Sequence, residues 1–301
     1  MRAICVGQAA YDITLPLDHY PIENKKIRVS DKVECGGGSA SNCAYLLAKW
    51  GIETYFAGVV GDDYYGKKIV EEFEGIGVNT KYLHTSKEYP TTSSYIIANT
   101  NKGTRTILTS RDENIKMDDY DIEDQFDIML FDGYEYDFVK KLISKNPKAI
   151  KIIDAGSLKE KTVELCHLVD YIVCSKDFAE EYTKKKIDFD DIQTLIEIYE
   201  DLHRAFNKKI VITLEDKGSF SYDDGYKLAP SIKVIAKDST GAGDIYHGAF
   251  TYCIAKGLPL DKTLLLSNIA GAISVERIGG RFSIPTLEEV EKKYHEHTIS
   301  Q

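Results

Sequence analysis

The stretch Asp238-Ser239-Thr240-Gly241-Ala242-Gly243-Asp244 decides how the rest of the chain is read. Ahead of it, Lys233–Lys237 predicts a strand. Behind it, the apolar spacing of Ile245, Ala249, Tyr252 and Cys253 predicts a helix. Gly241, Ala242 and Gly243 then form a small-residue turn at a helix N-terminus. Unpaired backbone N–H groups and the positive end of the helix dipole meet there, which is a seat for a phosphate. Asp244 falls in the first helical turn. A carboxylate so placed is either a helix cap or a base that takes a proton from an attacking hydroxyl, and the turn alone leaves both readings open.

Bulk composition narrows the class. At 301 residues the chain can bury a full core. Its 43% hydrophobic and 29% charged content are those of a soluble globular protein, expected in the cytoplasm. A formal net charge of −10 argues against a nucleic-acid partner, which needs a cationic surface to displace counterions. No apolar signal segment or membrane-length span is present, so no membrane role is expected. The six cysteines lack C-x-x-C spacing and several lie in apolar runs, so they are expected to be buried free thiols.

Working outward along the chain, Arg2–Gly7 predicts a first strand, with Asp12 just past it in a second extended run to about Leu17. Tyr20–Asn24 is a turn, and Lys25–Glu34 alternates as an exposed strand would. Cys35-Gly36-Gly37-Gly38-Ser39-Ala40-Ser41-Asn42 opens a helix running to Trp50, with Ser39 or Ser41 able to cap it. Gly61-Asp62-Asp63-Tyr64-Tyr65-Gly66-Lys67-Lys68 has P-loop spacing, but Lys68 replaces the Ser/Thr that would hold magnesium. Two aspartates in that loop would repel phosphates, so a phosphate loop is rejected. Thr91–Ala98 and Thr104–Ser110 form a hairpin around a turn. From Phe126 on, apolar strands (Phe126–Phe131, Ala149–Asp154, Tyr171–Cys174, Lys209–Leu214) alternate with helices, the longest around Asp191–Phe206. This is the pattern of a doubly wound, mostly parallel α/β sheet, with ligands at the strands' C-terminal ends near Asp154, Ser175, Thr213 and Glu215.

The motif D-[ST]-T-G-A-G-D followed by a helix resembles the C-terminal signature of the ribokinase/PfkB family of carbohydrate kinases. Gly37-Gly38-x-x-x-Asn42, Gly61-x-Asp63-x-x-Gly66 with Gly77-Val78-Asn79-Thr80, and Gly279-x-x-x-Ser283-Ile284-Pro285 extend the resemblance over nearly the whole chain. It implies one ribokinase-like domain over residues 1–301, with a small β-sheet lid grown from insertions at about 12–34 and 90–111. The implied reaction is transfer of the ATP γ-phosphoryl group to a hydroxymethyl group of a ketohexose-like sugar, with Mg²⁺ and, as in potassium-stimulated members, K⁺.

By the same resemblance, Asp244 is the base and Gly241, Ala242 and Gly243 are the anion hole. Asp12, Gly37, Gly38, Asn42 and Arg105 meet the sugar. Asn24 stands where ketohexokinase-like members hold the sugar with an acidic lid residue. Ser175, Thr213, Glu215, Gly218 and Asn268 join Gly241 and Gly243 at the nucleotide. Asp238, Thr240, Arg277, Gly279 and Ser283 supply main-chain oxygens to a monovalent cation. Ser175-Lys176-Asp177-Phe178 replaces the family's N-x-x-E, leaving Asp177 or Glu180 to order Mg²⁺. The Gly-Gly-Arg and His247-Gly248 context also resembles sulfofructose kinases, a hint toward an anionic or ketose substrate. A homodimer through the lid is expected. The rival readings are a nucleoside kinase using Tyr11 or Tyr95 as a base clamp, a phosphosugar kinase using Arg28, Arg105 or Arg111, and a non-catalytic sugar or nucleotide sensor.

Overall fold

The structure, a computed structural model, describes residues 1–29, 31–117 and 121–299. Its strands are β1 (Arg2–Val6), β2 (Ala10–Leu17), β3 (Val33–Gly37), β4 (Glu53–Gly61), β5 (Asn79–Ser86), β6 (Ser93–Asn99), β7 (Thr104–Ser110), β8 (Ile128–Phe131), β9 (Ile150–Ala155), β10 (Tyr171–Ser175), β11 (Lys209–Thr213), β12 (Ser219–Tyr222) and β13 (Tyr226–Ala229). Its helices are α1 (Ser39–Lys49), α2 (Tyr64–Ile76), α3 (Tyr136–Lys145), α4 (Glu160–Cys166), α5 (Lys176–Thr183), α6 (Ile192–Phe206), α7 (Ala242–Ala255), α8 (Leu260–Ser274) and α9 (Leu287–Ile299).

Among the described residues, nine strands form one sheet in the order β13-β12-β11-β10-β9-β8-β1-β4-β5. The pairs from β11 across to β5 are parallel, and the β12–β13 hairpin closes one edge antiparallel. The reversal of chain direction across the sheet falls between β1 and β8, which is where a doubly wound sheet opens a crevice. Alternation within strands explains the layering. Ile4, Val6, Met129, Phe131 and Ile172 pack into one apolar layer, while Ala3, Cys5, Ile128, Leu130 and Val173 pack into the other. Both faces are therefore covered, and the strands read as continuous apolar runs. No helix among the described residues is long and apolar enough to cross a membrane. All six cysteines are free and buried.

A second, four-stranded sheet in the order β3-β2-β6-β7 stands over the C-terminal ends of this sheet's middle strands. Its strands come from the two segments expected to build a lid. Lys25–Glu34, however, does not form a strand of its own: pairing starts at Val33, where register with Thr14 begins. Lys233–Lys237 also fails as a strand. It runs as unladdered coil, anchored where the Lys237 N–H donates to Val275 O at 2.7 Å. The loop with P-loop spacing is a helix cap, since Asp63 Oδ1 accepts from Gly66 N at 2.8 Å and Oδ2 from Thr91 N at 2.8 Å.

Candidate active site

The small-residue turn folds as its composition demands. Gly241 adopts φ +74°, a conformation disfavoured for residues with a Cβ, and from it α7 begins at Ala242. The turn is braced from behind. Asp238 Oδ1 accepts from Thr240 N at 2.9 Å and Thr240 Oγ1 at 2.6 Å, and Oδ2 accepts from Gly279 N at 3.0 Å. The carboxylate thus ties the signature to the loop that ends in Ser283 and Ile284. Among the described residues no backbone N–H reaches the carbonyls of Asp238, Thr240 or Arg277, and that of Gly279 accepts from Ser283 N. The Ser283 carbonyl likewise accepts from no backbone N–H among the described residues, so four oxygens of the expected set could serve a monovalent cation.

Asp244 is not a cap. Its side-chain partner is Asn42 Nδ2, at 2.8 Å, 202 residues earlier on α1. The orientation of that amide follows from donors and acceptors alone. Arg281 is fully buried and a guanidinium can only donate, so the Asn42 oxygen must face it, and Arg281 Nε lies 3.4 Å from Asn42 Oδ1. The Asn42 NH₂ therefore donates to Asp244. Arg281 is held by Glu72 at 2.8 Å and by Ser41 Oγ, over the rings of Tyr45 and Phe73. Ser41 is thus spent on Arg281, and Ser39 does not cap α1 either. Asp132 Oδ2, from the loop after β8, takes the Ala40 N–H at 3.2 Å and the Gln8 N–H at 2.8 Å.

Asp12 on β2 is buried and pairs in register with Cys35 and Ser94. Gly37 makes room for it, because a Cβ there would lie 2.0 Å from Asp12 Oδ2. Burial, helped by the nearby Asp244 charge, pushes the Asp12 carboxyl up to about 7 against the opposing pull of Arg281. Asp154, at the end of β9, is pushed by burial up to about 6, with His247 opposing. His247 Nδ1 lies 2.6 Å from Gly243 O, and its Nε2 lies 3.1 Å from Val173 O and 3.3 Å from Asp154 Oδ1. Both ring nitrogens face acceptors, so His247 ties Gly243 O to Val173 O and Asp154 at the back of the turn.

A cavity of about 800 Å³ joins these groups, lined by Asp12, Gly38, Asn42, Arg105, Gly241 and Asp244 among others. Asn24 is exposed and outside it. Tyr11 stacks on Tyr65 at 4.7 Å, and neither Tyr11 nor Tyr95 lines the cavity, so the expected base clamp is not formed there. The residues assigned to the nucleotide gather elsewhere. Ser175 Oγ accepts from Phe178 N at 3.0 Å as the α5 cap, Thr213 Oγ1 donates to Cys174 O at 3.3 Å, and Asn268 Nδ2 donates to Ala229 O at 2.9 Å. Glu215 sits at φ +55° on an exposed turn, and Gly218 lies against Ala229. Glu180 is engaged by Lys186 at 2.6 Å and Ile187 N at 3.0 Å, which removes it as a magnesium organiser. Asp177 remains exposed on α5, and among the described residues no cluster of three ligating side chains exists. Glu72, Asp132, Tyr134 and Lys159 were not singled out by the sequence reading.

The model of the pfkB family carbohydrate kinases matches residues 2–287. The ribokinase of Bacillus subtilis (strain 168) is 26% identical over 97% of this chain and 99% of its own, and that of Arabidopsis thaliana is 25% identical over 96% and 80%. Among solved structures, a putative ribokinase from Agrobacterium tumefaciens superposes with a TM-score of 0.88 at 23% identity, covering 99% of this chain and 98% of that one. Arabidopsis thaliana ribokinase complexed with ribose and ATP gives 0.76 at 21%, covering 97% of each. The sheet order and the small second sheet are the ribokinase-like fold, and the chain belongs to the pfkB family of carbohydrate kinases.

Proposed function

We propose that the protein transfers the γ-phosphoryl group of ATP to a hydroxymethyl group of a ketohexose-like or related sugar. The observation that carries this is the Asn42–Asp244 hydrogen bond of 2.8 Å, which sets a carboxylate beside the N–H groups of the Gly241–Gly243 turn and opposite Asp12 in one cavity. Asp12 and Asn42 align the sugar, and the turn's amides stabilise charge on the migrating group. The sugar oxygen bonds to the γ-phosphorus as the bond to the β–γ bridging oxygen breaks. The hydroxyl proton passes to Asp244, and ADP leaves. When bound with ATP, Mg²⁺ would neutralise phosphate charge, and the Asp238, Thr240, Arg277 and Ser283 carbonyls would hold a monovalent cation that steadies the turn. Asp12, protonated part of the time near neutral pH, can donate to as well as accept from a sugar hydroxyl. The Tyr95 and Leu108 side chains, cross-strand neighbours exposed on the small sheet, support a homodimer formed through it.

ADP release across ketohexoses and aldoses tests the reading. Asp244→Asn should lower kcat about 10³-fold or more while sugar binding, read by calorimetry, changes little. Turnover close to wild type in that variant would remove Asp244 from the reaction.

A further inference from the structure

Arg105, Arg111 and Lys159 all line the cavity that holds Asp12 and Asp244. Elsewhere this acidic chain pairs its cations with carboxylates, as in Lys81–Asp124, Lys151–Asp170, Lys185–Asp201 and Arg281–Glu72. These three have no such partner among the described residues. Arg105 Nη1 donates to Ser239 Oγ at 3.0 Å and Arg111 Nη1 to Thr92 Oγ1 at 3.4 Å, both neutral hydroxyls. The Arg111 guanidinium lies 4.3 Å from the centre of the Tyr134 ring, and Lys159 Nζ lies 4.4 Å from the same centre while donating to Tyr134 Oη at 2.9 Å. One aromatic ring therefore holds two cations beside a single open volume; Asp132 and Glu135 feel the Arg111 charge without forming an ion pair with it, so both cations keep N–H donors for an anion that enters. Glu113, also on the lining, forms no ion pair with any of the three.

Their origins divide the cations. Arg105 reaches the signature through Ser239 and is placed for the migrating phosphoryl group. Arg111 follows β7, and Tyr134 and Lys159 follow β8 and β9, on a wall shared with none of Ser175, Thr213, Glu215, Gly218 or Asn268. We infer that the acceptor is an acid sugar, whose phosphate, sulfonate or carboxylate seats between Arg111 and Lys159 at Tyr134 while its hydroxymethyl end faces Asp244. This rests on the kinase reading above and names its substrate class. The same oxyanion chemistry is carried by ATP itself, so the experiment separates the two sources.

The full-length protein is assayed for ADP release with matched pairs: a neutral sugar against its terminal phosphate, its sulfonate and its uronic acid. Binding of each pair is measured by calorimetry without ATP. The acid member is expected to lead in kcat/KM by about 100-fold, with charge-assisted contacts worth roughly tenfold or more apiece. Arg111→Met and Lys159→Met should each cut that preference about tenfold or more, and Arg111→Lys should restore part of it. Equal kcat/KM and equal affinity within the pairs would overturn the inference, and so would variants that raise the KM for ATP alike with both members of a pair. Acid-sugar binding without ADP release would keep the anion site and sink the kinase reading. Turnover of neutral sugars without any acid preference would do the reverse.

Discussion

The acceptor half and the donor half of the crevice are built by different means. Around Asp12, Asn42 and Asp244, side chains fix one another through buried charge. Arg281 orients Asn42, Asn42 orients Asp244, and Glu72 holds Arg281. Around the ends of β10 and β11, side chains instead fix backbone. Ser175 caps α5, Thr213 bonds to Cys174 O, and Asn268 holds the β12–β13 hairpin through Ala229 O. A variable sugar needs side-chain recognition. A nucleotide shared by many enzymes can be met by main-chain shape. On the kinase reading proposed above, that division would let Glu215 and the altered Ser175–Phe178 stretch be tolerated, since little chemistry would rest on those side chains.

The comparison breaks most easily at Arg281. Arg281→Met strips the cation from the half-buried Glu72 and the donors from Ser41 and Asn42, and a loss of about 2–3 kcal/mol in urea unfolding is expected, with lower kcat in whatever fraction folds. Glu72→Gln, which keeps the shape, should retain more stability yet still lower kcat by loosening Asn42. If kcat in that variant matches wild type, the chain of orientation from Glu72 to Asp244 is not used.

Asp12 sharpens the comparison through pH. Its folded carboxyl titrates near 7, above the unfolded value near 4, so the folded state binds more protons between those limits. Its contribution to stability is therefore present at low pH and is lost as pH rises from about 4 to 7. Asp12→Asn should lose sugar turnover yet gain in stability over wild type progressively across that window, by on the order of 4 kcal/mol at pH 8, read as a Tm difference that widens with pH. A Tm difference that does not change with pH would show that Asp12 is not held protonated.

The smallest effect belongs to the donor half. Asn268→Ala frees the Ala229 carbonyl, and a cost of about 1–2 kcal/mol is expected, with a severalfold rise in the KM for ATP and little change in that for sugar. Equal rises in both would erase the distinction between the halves.

Legibility in the sequence follows the same line. The signature turn, Gly37-Gly38 and Asn42 are local patterns whose backbone requirements show in the residues themselves, and the alternating apolar runs announce a sheet buried on both faces. Glu72–Arg281 and Asp132–Ala40 join positions 209 and 92 residues apart, and no local spacing signals them. Lys233–Lys237 has strand composition but joins no ladder among the described residues, and of the described residues in Lys25–Glu34 only Val33 and Glu34 enter one. Tyr134 and Lys159 meet only because β8 and β9 lie side by side.

The chain passes between the small sheet and the main body four times, and two carboxylates rivet three of these roots. Asp132 grips Gln8 and Ala40, on either side of the β2–β3 pair, and Asp63 grips both the amide and the hydroxyl of Thr91 just before β6. A flap riveted at its base cannot swing as a door does. Any travel over the crevice must be taken up as flexure farther out along β2, β6 and β7, against a turn at Asn99–Gly103 that already rests on Ala236.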